Sequence, residues 1–303
     1  MHKRNKHKGR YDLEVLSEAV PELSDFIFVN DHGIESIDFF DPDAVLALNK
    51  ALLIHHYGIK HWGIPEGFLC PPIPGRADYV HYLADLLPES VRSKGGKIKV
   101  LDIGTGANCI YPIIGHQTYG WSFVGSEADE AAYLNAKSIV EKNPDQLTGI
   151  EIRRQINPNL FYQGIIKKDE IFDLSMCNPP FYSSAKEAKA ANRKKFKSLN
   201  PKSTRKKNMN FGGQGNELWT AGGEETFIHN MIHESRNFST SCYWFSTLVS
   251  KEAILQSVYK AFRRAKVSEY KMVEMTQGNK KSRFVAWTFL DAKQRKIWEE
   301  TRW

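Results

Sequence analysis

A chain of 303 residues, 41% hydrophobic and 25% charged, can bury one large core or two small ones and has the balance of an ordinary folded protein. No apolar run reaches the roughly 18 residues that cross a bilayer, the N-terminal MHKRNKHKGR has no apolar segment behind its charges, and Cys70, Cys109, Cys177 and Cys242 form no CxxC pair, so a membrane, secreted, disulfide-built or zinc-knuckle protein is not expected and a reducing cytoplasm is. The formal charge of +7 is concentrated in two segments, which suits a polyanion partner.

The first of these is the N-terminus, where Lys3, Arg4, Lys6, Lys8 and Arg10 stand without an acid and read as a mobile arm. A helix is expected in DPDAVLALNKALLIHHYG, with Asp41 as cap, Pro42 in the first turn and Gly58 as the stop. A second follows the loop IPEGFLCPPIPGR, where Tyr79, Val80, Tyr82, Leu83, Leu86 and Leu87 recur at helical spacing. Residues 1–90 therefore read as a basic arm and helical N-terminal extension. His55, His56 and His61 lack a cysteine or carboxylate at ligand spacing, so no metal is expected there.

Residues 91–303 carry a different pattern. Strand-like runs KIKVLDI, WSFVGSE, GIEIRR, IFDLSMCN and CYWFSTLV alternate with helical ones around 108–118, 128–142, 223–237 and 251–264, and a short helix is expected within 157–166. The chain then closes in two strand-like runs joined through Gly278-Asn279, an antiparallel hairpin. The fold class is α/β: a Rossmann-like, seven-stranded, mostly parallel sheet with a C-terminal hairpin. Ligands of such sheets bind beyond the carboxyl ends of the strands.

Three strand ends carry chemistry. In VLDIGTGANC, Asp102, Gly104 and Gly106 form a strand-to-helix turn in which glycines let a ligand approach the backbone, although Cys109 stands where a dinucleotide fingerprint has its third glycine. Glu127 ends the second strand twenty-one residues after Gly106, the spacing of an acid that binds ribose hydroxyls; Asp129 is the near alternative but better suits a helix cap. The fourth strand ends in Asn178-Pro179-Pro180-Phe181. Neither proline can donate to a sheet, so the strand stops. The Asn178 amide and the Pro179 carbonyl offer acceptors to a planar amine, Pro180 stiffens the turn, and Phe181 offers a ring to stack on a flipped base.

A second basic segment follows within 183–210. Ten basic residues, among them Lys186, Arg193, Lys194, Lys195, Lys197, Arg205, Lys206 and Lys207, stand against the one acid Glu187 and would grip the phosphates of a polyanion. Trp219, just beyond, packs either in the core or over the site, and Gly222-Gly223 resemble a hinge into the next helix.

Together, D-x-G-x-G, an acid ending the second strand and NPPF ending the fourth resemble a class I S-adenosylmethionine-dependent amino-methyltransferase. FFDPDAVLALNKALL, IPGRADYVHYLADLL, LDIGTGANCIYPIIG, CNPPFYSS and GNELWTAGGEETFI resemble the RlmF-type 23S ribosomal RNA adenine N6-methyltransferases, a family related to the eukaryotic METTL-type U6 snRNA methyltransferase. The resemblance implies methyl transfer from S-adenosylmethionine to N6 of the 23S adenine numbered 1618 in bacterial usage. It also implies a cofactor contact for Arg76, Gly104, Glu127 and Asn159, and as partner 23S rRNA or a large-subunit assembly intermediate. A monomer is expected, with no membrane and no metal. Alternatives are a protein glutamine or DNA adenine amino-methyltransferase and a non-catalytic ribosome assembly factor; the basic segment and the intact Asp102, Gly104, Glu127 and Asn178 weigh against them.

Overall fold

The computed structural model describes residues 1–70, 72–92, 97–188, 190, 215–277 and 280–303. Its centre is a seven-stranded sheet made of β3 (Lys99–Ile103), β4 (Ser122–Glu127), β5 (Ile150–Arg154), β6 (Phe172–Cys177), β7 (Cys242–Val249), β8 (Glu269–Gln277) and β9 (Lys280–Thr288). The order is β5-β4-β3-β6-β7-β9-β8, with the first five strands parallel and β9 antiparallel to both its neighbours. The α/β class, the parallel strands and the closing hairpin are as the sequence predicts, and its turn residues, Gly278 and Asn279, lie outside the described residues.

Every residue of β6 and β7 is buried, as expected of strands covered on both faces. Neighbouring side chains divide between two apolar layers. Val100, Leu248, Phe284 and Ala286 join the core beneath the N-terminal helices, whereas Leu101, Ile103, Val249, Val285 and Trp287 join a second core. The first layer holds α1 (Leu13–Ala19), α2 (Pro42–Tyr57), α3 (Ile73–Ala84), the one-turn α4 (Glu89–Arg92), α5 (Ile110–Tyr119) and part of α6 (Glu130–Glu141). Beyond the one-turn α7 (Gly215–Leu218), α8 (Gly223–Ser235) and α9 (Leu255–Ala265) form the second layer.

Local chemistry explains the helix ends. Asp41 accepts from the Asp43 amide at the start of α2, and Gly58 ends it at φ 67°, a left-handed conformation that favours glycine. Asp129 accepts from the Ala132 amide and caps α6, the role expected of it.

Four expectations change. The N-terminal arm is docked, not mobile. His2, Asn5 and His7 are buried, and Arg4 donates to Tyr119, the His81 carbonyl and Asp85, so part of its charge is spent inside the fold. The extension is also not all helical, since β1 (Ile27–Val29) and β2 (Glu35–Ile37) form a small hairpin. No helix is assigned within 157–166, because the turn around Asn157-Pro158-Asn159 breaks the chain and Glu234 then holds it by accepting from the amides of Phe161, Tyr162 and Gln163. The chain does not end with the hairpin. A final helix α10 (Ala292–Arg302) packs Trp298 and Trp303 against Tyr243 and sends Arg302 to the buried Asp173. No helix among the described residues is long and apolar enough to cross a membrane.

Candidate active site

The sheet changes its direction of growth between β3 and β6, and the crevice at such a switch point is where open α/β sheets hold ligands. The pairing of Ile103 with Cys177 brings Gly104 and Asn178 out of the sheet side by side. A cavity of about 300 Å³ lies there, lined by the Gly104–Gly106 turn, the end of β4, Asn178 and Pro180, and Trp219.

The turn is built for close approach. Gly104 and Gly106 have φ of 70° and 69°, and the amides of Gly104 and Thr105 both donate to the Ser126 carbonyl at 3.0 Å. A Cβ placed at Gly104 would meet nothing within 4 Å. Cys109 also adopts a left-handed conformation, φ 51°, immediately before α5, which is uncommon for a residue with a side chain.

Glu127 reaches back to this turn. One carboxylate oxygen accepts from the Gly106 amide at 2.8 Å and the other from the amides of Ala128 and Asp129. Burial raises its carboxyl above the ordinary value, against the pull of these bonds. Asp102 lies beneath the turn, fully buried, with no partner for either oxygen. Burial and the Glu127 charge push it up to about 7, with Thr105 and Arg76 opposing. Arg76 lines the cavity from α3 and is steadied by a 2.8 Å bond from Nη1 to the Tyr111 hydroxyl.

At the end of β6 the Asn178 Oδ1 atom is buried without a partner. Pro179 is buried and Pro180 lines the cavity, while Phe181 is half-buried and not among the lining residues. Asn159 is exposed, its amide donating to Asn157 Oδ1, and it too is not among the lining residues; Gln155, Pro158, Leu160 and Phe161 face the cavity in its place. Lys186 is exposed; Arg193, Lys194, Lys195, Lys197, Arg205, Lys206 and Lys207 lie outside the described residues. The chain leaves at Tyr182 and returns at Trp219, where the Tyr182 amide donates to the Leu218 carbonyl and the Thr220 amide to the Tyr182 carbonyl. Trp219 faces the cavity, the less common of its two expected fates. Gly222 and Gly223 both have positive φ, as a sharp entry into α8 requires.

Several contributors had no sequence signal. Phe68 and Leu69 reach the cavity from the N-terminal extension. Their loop is held by Asn143, whose Oδ1 accepts from the amides of Lys60 and His61, and by Asn135, whose Nδ2 donates to the carbonyls of Gly63 and Ala107. Among the described residues no group of three or more His, Cys, Asp or Glu could hold a metal ion.

An apolar wall of Phe68, Leu160 and Phe161, an acid at the ribose spacing and unpartnered polar atoms on Arg76 and Asn178 fit a nucleoside with a charged amino-acid chain, whereas Asp102, fully buried beneath the turn, is not among the lining residues. Buried polar atoms without partners are costly, and a ligand that pairs with them recovers that cost.

Residues 1–291 match the model of a family described as RNA methyltransferase. A ribosomal RNA large subunit methyltransferase F of Bacteroides thetaiotaomicron is 52% identical over 301 residues, covering 96% of this chain and 98% of that protein. Its counterpart from Cytophaga hutchinsonii is 49% identical over 306 residues, covering 100% and 95%. Among solved structures, the hMettl16 catalytic domain in complex with MAT2A 3'UTR hairpin 1 aligns with a TM-score of 0.80 at 31% identity, covering 96% of each chain. The N-terminal domain of human METTL16 in complex with SAH aligns at 0.75 and 28% identity, covering 96% of this chain and 99% of that one. With a family match over nearly its whole length and close relatives covered from end to end, the chain belongs to the RNA methyltransferase family.

Proposed function

We propose that this chain methylates the N6 amine of one adenine in 23S ribosomal RNA, with S-adenosylmethionine as cofactor, at the adenine the sequence resemblance implies. The observation that carries the reading is the unpartnered Asn178 Oδ1 beside the Gly104–Gly106 turn. The names of the similar bacterial proteins support ribosomal RNA as the substrate class.

The cofactor supplies an electrophilic methyl group on a sulfonium. Arg76 would hold its carboxylate and Glu127 its ribose hydroxyls, Gly104 and Gly106 would give it room, and Asp102 would set the charge beneath the turn. The adenine amine is a poor nucleophile because its lone pair is delocalised into the ring. Asn178 Oδ1 and the Pro179 carbonyl accept its two N–H bonds, so the nitrogen pyramidalises and its lone pair turns toward the methyl. The two prolines fix the backbone that carries these acceptors, which lowers the reorganisation needed at the moment of reaction. Phe181 stacks on the extruded base, and unstacking that base costs a few kcal/mol. After transfer the nitrogen is cationic and loses its proton to water, so no strong base is needed. The basic residues of 183–210 hold phosphates, and binding falls steeply with salt. The chain acts as a monomer in the cytoplasm.

The test is purified protein with methyl-labelled cofactor on naked and partly assembled 23S RNA, followed by mass spectrometry of the digest. N6-methyladenosine at one position is expected. Label at no position, or on a protein side chain, overturns the reading.

A further inference from the structure

Tryptophan serves this chain almost wholly as packing. Of its seven indoles, Trp62, Trp121, Trp244, Trp298 and Trp303 are built into the first apolar core and Trp287 into the second. Trp219 is the exception: among the described residues it belongs to no apolar cluster, and it stands half-buried in the wall of the cavity. The other aromatic side chains that line the cavity, Phe68, Tyr111, Phe161 and Phe227, each belong to such a cluster. Phe227, for example, meets Phe161 edge to face at 4.8 Å between ring centroids. Those four rings are the body of the wall, whereas Trp219 presents a large flat face to whatever enters, and covering it removes apolar surface from water.

The backbone that carries this indole is fastened on two sides. On one, the Leu69 amide donates to Glu217 Oε2 at 3.0 Å. On the other, the Tyr182 amide donates to the Leu218 carbonyl and the Thr220 amide to the Tyr182 carbonyl, four residues beyond Asn178. Trp219 is thus tied to the end of the strand that carries the amine acceptor, and Asn178, Pro180, Trp219 and Thr220 line one cavity.

We propose that Trp219 is a substrate-positioning residue whose indole stacks on the extruded adenine as Asn178 receives its amine. This rests on the adenine-methylation reading above. Indole and purine are both fused two-ring planes, so the contact favours a purine over a single-ring pyrimidine, while Asn178 selects for the amine. With Phe181 on its other face the base is held between two rings. Fixing the indole's backbone before RNA arrives lowers the ordering cost of that contact.

The full chain is compared as wild type, Trp219→Phe and Trp219→Ala, using an RNA fragment that contains the methylated adenine and the same fragment with an abasic ribose at that position. Stacking on a base quenches indole emission. Wild type is expected to be quenched more by the adenine fragment than by the abasic one, and Trp219→Phe to lose that difference, which a merely structural role would not produce. In single-turnover assays below saturating RNA, Trp219→Ala is expected to slow methylation about tenfold or more, the usual worth of a base–aromatic stack, and Trp219→Phe to recover most of the loss. Calorimetry is expected to show S-adenosylmethionine binding unchanged in both variants, which also reports an intact cavity. Equal quenching of wild type by the two fragments overturns the proposal. So does a Trp219→Ala variant that methylates as wild type does, or that loses as much affinity for the cofactor as for RNA. If wild type methylates no RNA at all, the adenine reading has failed and this inference falls with it.

Discussion

Two fully buried aspartates stand on adjacent strands of the same sheet and have opposite surroundings. Asp173, near the start of β6, accepts from the Lys99 amide, the indoles of Trp298 and Trp303, and two nitrogens of Arg302. No donor lies at hydrogen-bonding distance from the carboxylate of Asp102, near the end of β3, although the Thr105 side chain and Arg76 favour its anion. Burial costs both carboxylates their hydration, and only Asp173 is repaid from within the chain. A buried acid with its full set of donors holds a structure together; one left without them carries a desolvation cost that nothing in the chain offsets in full.

The largest expected effect is at Asp173. Asp173→Ala leaves Arg302 and three N–H donors unpaired, and breaking such a buried pair typically costs about 3–5 kcal/mol. Chemical denaturation is expected to show that loss, with α10 exchanging amide hydrogens first. A variant as stable as wild type would break the comparison. The same reasoning extends to buried bases. Burial lowers His7 to about 4 and His81 to about 3, so both are neutral in the fold. A depressed histidine contributes stability that is complete above its unfolded value of about 6.5 and is lost as pH falls, for His7 through about 4, on the order of 3 kcal/mol. Hydrogen exchange is expected to show the N-terminal segment loosening first between pH 6 and pH 4, by about that much, and His7→Gln to flatten the trend.

At the active site the changes are in binding and rate more than stability. Asn178→Ala is expected to lower turnover by about 100-fold or more, the usual cost of one preorganised group, with little change in cofactor affinity. Single-turnover methylation would show it, and full turnover would remove the amine clamp. Asp102→Asn is expected to weaken the cofactor about tenfold while leaving the apo protein as stable or more so, because it deletes a charge that burial already opposes. The smallest effect is its pH dependence. A carboxyl raised to about 7 binds a proton in the fold that the unfolded chain releases near 4, so it favours the fold at low pH and loses that contribution as pH rises through about 7. Cofactor that needs the anion therefore binds more weakly below pH 7 and releases a proton on binding there. Calorimetry in buffers of different ionisation heat would detect that proton, and Asp102→Asn should abolish it.

The contrast also marks how far the sequence can be read. Alternating strands and helices, the Asp41 and Asp129 caps and the motifs at three strand ends are local patterns, and they describe the strands as they follow one another along the chain, not the order in which the sheet pairs them. The donors to Asp173 lie 74 to 130 residues away, and those to Glu234 lie 71 to 73 away, distances over which a single sequence has no periodicity to show. Leu69 and Glu217 meet for the same reason without any spacing rule. The last helix did leave a trace: Asp291 and Gln294 form a capping box, three residues apart as the motif requires. Its surface is polar nearly all round, so no apolar stripe advertised it. Asn159 shows the opposite error, a polar residue in the right neighbourhood whose turn directs it to solvent while Gln155, the residue directly after β5, faces the cavity.

The two hydrogen bonds between Tyr182 and the 218–220 backbone make the excursion between them begin and end at one place. Lengthening a loop whose ends are already joined changes its closure entropy only slowly, by about 0.6 kcal/mol per doubling. The segment between those ends, to which the proposed function assigns the RNA phosphates, is therefore a detachable fitting. On that reading its length and charge are free to vary, and with them the RNA that is admitted, while the glycine turn and the Asn178 acceptor stay where the sheet has set them.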